Sequence, residues 1–478
     1  MNFIPPELQK ILLDTPELSR AYLVGGAVRD ALLGLATGRD FDIEVFGIDY
    51  EHLARALSRW GRTDLVGRSF GVVKLTTGSE FHYDFTVPRQ DSKVAPGHKG
   101  FEVAFAPALT PREAAARRDF TVNSIMFDPR EGKTLDFFGG QEDLRQGVLR
   151  HTSAAFVEDP LRVLRGMQFA ARFNLKPDPE TVRLCRGMKG SFAELAIERV
   201  REEWFKWAQS SRTPSIGLRF LIDTEWVEHF PEVKAMIGVP QEPEWHPEGD
   251  VFVHTCHCCD ALARLPAWQA EDSPSRVVHM LAVLAHDFGK AVTTTRALKD
   301  GRMRIVSPGH EEAGGELAAV FLQRLRAPHE VEARVIPLVR NHLFHWQSMS
   351  DRAVRRLAHR LEPENIEGLC LVMTADAMGR PPLPAVEPEH VRLLLAKAHE
   401  LQVREKPPEP ILMGRHLIEL GLEPGPLFGE VLGRAYDAQL EGAFFDLTQA
   451  WQWLARAESL QLPEAARRKI EERLKSQI

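Results

Sequence analysis

The chain has 478 residues, 44% of them apolar, and a formal net charge of −7. This length predicts roughly two to four domains with buried cores, and the acidic balance excludes nucleic-acid binding by net charge alone, so any RNA site must be a local basic patch. No apolar run reaches about 18 residues, which argues against a membrane span. The first residues show no basic start or cleavable apolar stretch. The five cysteines, few and odd in number, argue against a disulfide framework and fit a reducing cytosol.

Residues 1–140 hold most of the strand-like runs: Phe41-Asp-Ile-Glu-Val-Phe46, Val72-Val-Lys-Leu-Thr76 and His82-Tyr-Asp-Phe-Thr-Val87. Before them, Ala21 to Gly34 reads as strand, glycine turn and helix. From about 150 the pattern turns helical, with apolar residues at three- and four-residue spacing from Pro160 to Phe173. The Pro-rich stretch Val239 to Gly249 reads as a linker, helical patterns resume over 252–400, and a proline cluster at Lys406–Pro410 opens a last helical segment. The fold class is therefore an α/β head followed by all-α domains, with the expected division 1–140, 141–240, 245–400 and 405–478.

Asp40 and Asp42 carry the first chemistry. Residues i and i+2 of a strand point to one side, so the two carboxylates aim together at whatever the Gly25–Gly26 turn holds. Paired hard oxygens suit Mg²⁺, which takes its other ligands from phosphates and water. Glycines let the backbone approach a triphosphate, the next helix offers free N–H groups at its start, and Arg29 is one turn in. Together these point to a metal-bound nucleoside triphosphate and to phosphoryl or nucleotidyl transfer.

Leu23-Val-Gly-Gly-Ala-Val-Arg-Asp-Ala-Leu-Leu-Gly34 followed by Asp40-Phe-Asp42 resembles the class II tRNA nucleotidyltransferase (CCA-adding enzyme) and bacterial poly(A) polymerase family. The likeness continues in order through Gly67–Lys74, Arg117-Arg-Asp-Phe-Thr-Val-Asn123, Glu158-Asp-Pro-Leu-Arg-Val-Leu-Arg165 and Glu198-Arg-Val-Arg201. The resemblance implies a nucleotidyltransferase head of the polymerase-beta superfamily, a helical neck (141–240), and addition of C and A to tRNA 3′ ends from CTP and ATP. Asp40 and Asp42 would hold the Mg²⁺ ions, with Asp84 as third carboxylate. Arg117, Arg118 and Asp119 would contact triphosphate and sugar, with Asn123 nearby and Arg165 among the nucleotide-binding residues. The loop Arg89–Gly100 reads as mobile.

Asp159 and Arg162, taken as i and i+3 on one helix face, offer an acceptor and a donor. Cytosine and adenine each present an amino donor beside a ring-nitrogen acceptor, whereas uracil and guanine reverse that polarity. The pair can therefore choose CTP and ATP without a template.

His254, His286-Asp287 and Asp376, in that order, resemble the HD phosphohydrolase superfamily. Imidazoles with carboxylates suit a divalent transition metal, or Mg²⁺ with added water. Lys290 would steady a phosphate, and His310 and His342 would add phosphate contacts or ligands. Some CCA-adding enzymes carry such a domain after the neck, which implies phosphatase and 2′,3′-cyclic phosphodiesterase activities. The cysteines of Thr255-Cys-His-Cys-Cys-Asp260 lack the spacing of a zinc site and are expected to pack as small buried residues.

Several readings stay open at this point: CC-only or A-only addition, poly(A) polymerase, an HD phosphohydrolase with a nucleotide-sensing head, and a tRNA-binding chaperone. The Phe70-Gly-Val-Val strand and the HD motif lean toward tRNA. No membrane partner is expected, the location is cytoplasmic, and oligomeric state is not legible.

Overall fold

The computed structural model describes residues 3–36, 38–66, 71–93, 101–105, 108–299, 301–344, 349–457 and 459–475, with only the backbone of 65–66, 89–93 and 101–105. The chain gathers into two compact units, Met1–Lys234 and Ala235–Ile478.

The first unit has eleven strands among the described residues: β1 (Ala21–Val24), β2 (Asp40–Val45), β3 (Arg62–Val66), β4 (Val72–Thr76), β5 (His82–Thr86), β6 (Arg89–Lys93), β7 (Phe101–Phe105), β8 (Met126–Asp128), β9 (Lys133–Leu135) and, in the otherwise helical neck, the short parallel pair β10 (Val148–Leu149) and β11 (Lys176–Pro177). Seven of them form one sheet in the order β3-β4-β5-β2-β1-β8-β9. Within it β2 and β5 run parallel, with Asp42 paired to Asp84. Strand β2 alternates as its sequence dictates: Phe41, Ile43 and Val45 are buried, while Asp40, Asp42 and Glu44 take the other face. Leu8, Ile11 and Leu12 of the Pro6–Asp14 helix and Leu53 and Leu57 of the Tyr50–Leu57 helix are fully buried with Phe85 and Val73 of the sheet. That apolar burial is the main stabilising term, at about 1.5–3 kcal/mol per large side chain.

Strands β6 and β7 pair as an antiparallel hairpin, so the stems of the predicted Arg89–Gly100 loop are extended, and 94–100 lie outside the described residues. Residues 67–70, including Phe70, lie outside them too.

After the sheet, the helix Leu161–Phe173 packs against helices Ile197–Ser210 and Pro214–Asp223 around Leu164, Met167, Trp204, Trp207 and Phe220. Asp159 is not on that helix, contrary to the i,i+3 reading. It lies in extended backbone (φ −124°, ψ 105°) ahead of Pro160, because proline disfavours helical geometry in the residue before it.

The second unit is built from the helices Val251–Arg264, Ser273–Ala285, His310–Arg324, His329–Asn341, Asp351–Leu361, Ile366–Met378 and Glu389–Glu400. Two expectations fail here. A β-hairpin, Thr295–Lys299 paired with Arg302–Val306, interrupts the predicted helical run. The predicted linker is packed: Glu242 accepts from the Ile305 backbone N–H at 2.9 Å, and the Glu248 side chain is fully buried. Proline there sets direction without freeing the chain.

The last segment gathers four helices, Gly414–Glu419, Pro426–Leu440, Leu447–Arg456 and Glu464–Lys475, around Leu417, Val431, Phe444, Trp451 and Ile470. No helix among the described residues is long and apolar enough to cross a membrane.

Candidate active sites in the two units

In the first unit, Val24 of β1 pairs with Asp42 of β2, and the chain then turns at Gly25 with φ +71°. A Cβ at Gly25 would stand 3.4 Å from Asp42 Oδ2 and 3.7 Å from Arg118 Nη1, on a backbone that side chains rarely adopt. The turn thus brings its backbone close to the carboxylates and opens the helix Gly26–Leu32.

Asp84 completes the group from β5 and receives Lys74 Nζ at 3.5 Å. Partial desolvation raises the Asp42 pKa; Arg118 opposes the rise, and Asp84 and Asp40 add to it. Three carboxylates on one sheet face offer the oxygen donors that hard divalent cations take.

The Arg-Arg-Asp residues divide their work. Arg118 donates to Glu44 at 3.0 Å, and its buried Nε has no partner among the described residues. Arg117 pairs with Glu158 at 3.0 Å. Asp119 is buried; despite the cost of burial, Arg165 and Asn123 hold its carboxyl below the usual range. Asn123 uses both ends of its amide, donating to Asp119 at 3.0 Å and accepting from Arg29 at 2.6 Å.

Arg29 itself is buried, bonded to Asp30 and stacked 4.1 Å over Phe173. A direct phosphate contact, as expected from sequence, would require it to give up those partners. The chain Arg29–Asn123–Asp119–Arg165 instead ties the glycine turn to the Leu161–Phe173 helix.

Asp159 and Arg162 are half-buried neighbours. Asp159 Oδ1 accepts from the Leu161 backbone, and Oδ2 meets Arg199 at 3.1 Å. Arg162 donates to the carbonyls of Ala155 at 2.7 Å and Arg117 at 2.6 Å, which fixes its guanidinium and uses two of its five N–H groups.

In the second unit, Asp250 caps the helix that carries His254, accepting from Val253 N–H at 2.8 Å. Asp287 Oδ2 lies 3.6 Å from His254 Nε2 and 3.3 Å from His286 Nε2. Its Oδ1 lies 3.5 Å from His310 Nε2 and 3.9 Å from His342 Nε2. Asp376 is 3.1 Å from His254 Nε2.

Gly289 makes the His310 approach possible, since a Cβ there would collide with the His310 carbonyl oxygen at 2.0 Å. His286, His310 and His342 each place Nδ1 2.6–2.7 Å from a backbone carbonyl, of Val283, Ser307 and Val339. A carbonyl only accepts, so each Nδ1 carries a proton and Nε2 is turned inward. His254 does the same through Glu248, at 2.7 Å.

His286 Nε2, His310 Nε2 and Asp287 Oδ1 are buried without a hydrogen-bond partner among the described residues, while Asp287 Oδ2 meets only the Lys290 ammonium and flanking imidazoles. Leaving such groups unpaired is costly; bound cations would satisfy all of them, so the donor set fits divalent metal. Against the cost of burial, His286 and Lys290 hold the Asp287 carboxyl well below its usual range, so it is ionised.

Lys290 bonds Asp287 at 2.8 Å and Gln241 at 2.9 Å, and so is already engaged inside the site. Sequence reasoning missed Glu248, Arg380 and Cys258. Arg380 bonds Asp376 at 2.7 Å from one helical turn on. Cys258, one turn after His254, sets Sγ 3.3 Å from its Nε2, within a group of His254, Cys258, His286 and Asp376 that could hold an ion. The i+4 spacing signalled both; nothing local signalled Glu248. All five cysteines are buried and free, the three of Thr255–Asp260 as expected from their small apolar character.

Residues 21–150 match the Poly A polymerase head domain and 256–380 the HD domain. A multifunctional CCA protein of Nitrosococcus oceani is 36% identical over 395 residues, spanning 80% of this chain and 91% of that protein. The chain belongs to the multifunctional CCA protein family. Another such protein, from Xanthomonas campestris pv. campestris, is 36% identical over 404 residues, 80% of this chain and 92% of its own.

Among solved structures, the Thermotoga maritima CCA-adding enzyme complexed with tRNA aligns with TM-score 0.58 at 20% identity, covering 96% of this chain and 97% of that one. The Bacillus stearothermophilus CCA-adding enzyme in complex with CTP aligns with TM-score 0.60 at 20% identity, covering 95% and 98%. These likenesses give the CCA-adding enzyme fold.

Proposed function

We propose that the chain adds C and A nucleotides to the 3′ end of tRNA without a nucleic-acid template, from CTP and ATP, and that its HD region is a metal-dependent phosphatase and 2′,3′-cyclic phosphodiesterase. The observation that carries the first activity is the Asp42–Asp84 pairing beside Asp40, directly under the Gly25 turn.

Asp40 and Asp42, with Asp84, would hold Mg²⁺, which supplies charge neutralisation at the α-phosphate and acidifies the RNA hydroxyl. The 3′ oxygen then bonds to the α-phosphorus, pyrophosphate leaves, and the hydroxyl proton passes to solvent or a neighbouring carboxylate. Gly25, Gly26 and Arg118 bind the triphosphate; Arg117, Asp119, Asn123 and Arg165 shape the sugar side; Arg29 braces the turn. Asp159 accepts from the base amino group and Arg162 donates to the ring nitrogen.

In the HD region, His254, His286, Asp287 and Asp376 would hold one cation, and Asp287, His310 and His342 a second. A transition metal such as Mn²⁺, Fe²⁺ or Ni²⁺, or Mg²⁺, would supply hydroxide near neutral pH. Lys290 keeps Asp287 ionised. The expected location is the cytoplasm, where tRNA and triphosphates are.

The test offers purified protein a tRNA ending at the discriminator base, at C or at CC, with each triphosphate separately. Stepwise addition of C, C and A is expected. Growth of a long A tail would assign poly(A) synthesis, and addition of C alone or A alone would assign a partial enzyme.

A further inference from the structure

A groove of about 620 Å³ runs between the helices His329–Asn341 and Asp351–Leu361. That volume is in the range of ligand clefts, roughly 300–1,000 Å³. Arg340, Arg352, Arg356 and Arg360 line it, against one lining carboxylate among the described residues, Glu311. Its lining shares elements with the metal-fitting group: Glu311 Oε2 lies 3.6 Å from His310 Nδ1, and Asn341 and Leu343 flank His342 in the chain.

The arginines are regularly spaced. Arg352, Arg356 and Arg360 recur every four residues on one helix face, about 6 Å apart along its axis. Successive phosphates of an extended nucleic-acid strand stand a similar distance apart. Guanidinium forks match phosphate oxygens in two-point contacts.

Arg340 is paired with Glu312 at 3.1 Å, but the three arginines of the Asp351–Leu361 helix are under-compensated. Arg352 and Arg356 share a single acceptor, Glu441 Oε1. Arg360 donates to Asn341 at 3.1 Å and has no carboxylate within 4.0 Å among the described residues. Burial, and then the Arg356 charge, hold its guanidinium below the usual range, as crowding of like charges requires. Phe344, half-buried on the same wall, offers a ring on which a base can stack. A mononucleotide at the HD centre would need one phosphate contact; a row of arginines with an aromatic wall suits a strand.

We propose that this groove binds the sugar–phosphate strand of a single-stranded RNA end and leads it to the HD centre, so that RNA termini are preferred over free nucleotides. The proposal rests on the reading of the HD region as a phosphohydrolase.

The test compares 2′,3′-cyclic AMP with a short RNA oligonucleotide ending in the same cyclic phosphate, on the full chain with and without Arg356→Gln and Arg360→Gln together. The double variant is expected to lose about tenfold or more in kcat/KM on the oligonucleotide, through KM, equivalent to about 1.4 kcal/mol. Its mononucleotide kcat/KM should stay within about twofold, and its salt dependence on RNA should be shallower by about 1.4 in log–log slope for two lost phosphate contacts. Equal loss on both substrates, or none on RNA, would overturn the proposal.

A second measurement separates it from the hydrolase reading. An oligonucleotide with 4-thiouridine near its 3′ end, photo-crosslinked to the full chain, should label peptides within 340–360. Label there without turnover of either substrate would remove the hydrolase reading while leaving the RNA groove. Turnover without label there, or label displaced by polyglutamate but not by RNA, would overturn the groove and, in the second case, assign it to an acidic protein.

Discussion

Asp42 stands directly beside Asp84, its register partner across the parallel pairing of β2 and β5. Because Asp40 lies two residues before Asp42 on the same strand face, the sheet itself assembles three carboxylates. Asp42→Asn is expected to lower single-turnover nucleotide addition by about a thousandfold or more, by removing a metal-holding charge. Binding of tRNA should change little. Retained addition, measured by product length on a gel, would contradict the site.

Base choice provides a separate check. Asp159→Ala should relax selection, raising UTP and GTP incorporation relative to CTP and ATP by about tenfold or more, with metal dependence kept. The same change removes one partner of Arg199 and the acceptor of the Leu161 N–H, so Arg199→Ala serves as the control. If both variants keep the wild-type incorporation ratios, Asp159 is structural only.

Two separable chemistries are expected. His286→Ala should abolish phosphate release from 2′,3′-cyclic AMP and leave CCA addition intact, while Asp40→Ala does the reverse. Loss of both activities in either variant would argue against two independent sites.

Glu248 orients His254 through Nδ1. Glu248→Gln should weaken metal binding to the HD region by about 10–100-fold, read by direct metal titration as well as by activity. Unaltered affinity would reduce Glu248 to packing.

His279, buried between Glu271 at 2.7 Å and Glu364 at 3.4 Å, has its pKa pushed up to about 9: burial opposes its charge, and the two carboxylates overcome that. A folded pKa above the unfolded value of about 6.5 stabilises fully below that value and loses this as pH rises through about 9. The contribution is at most about 3 kcal/mol. Melting temperature should fall between pH 7 and pH 10 (about those values) and fall less in His279→Gln; equal slopes would refute the linkage.

The acidic face of β2 was legible because strand periodicity is two and the apolar residues Phe41, Ile43 and Val45 had to turn inward. The proposed HD metal residues were legible as an ordered set, with His254 and Asp376 on helices and His286-Asp287 in the turn that ends one. Less was legible where neighbours decide. The Thr295–Val306 hairpin is largely exposed, so no buried face imposed an alternating pattern on it. The Pro-rich segment reads as a linker from composition, yet Gln241, Glu242 and Glu248 all bond into the second unit.

Local spacing alone determined that Asp40 and Asp42 share a side, that His286 and Asp287 sit together, and that the head is α/β with helices after it. Only the tertiary structure decided that Asp84 completes the first group, that Glu248 orients His254 through Nδ1, and that Asp159 meets Arg199 from outside the helix. The reason is physical: periodicity sets the face on which a side chain emerges, but strand register and helix packing set what that face meets.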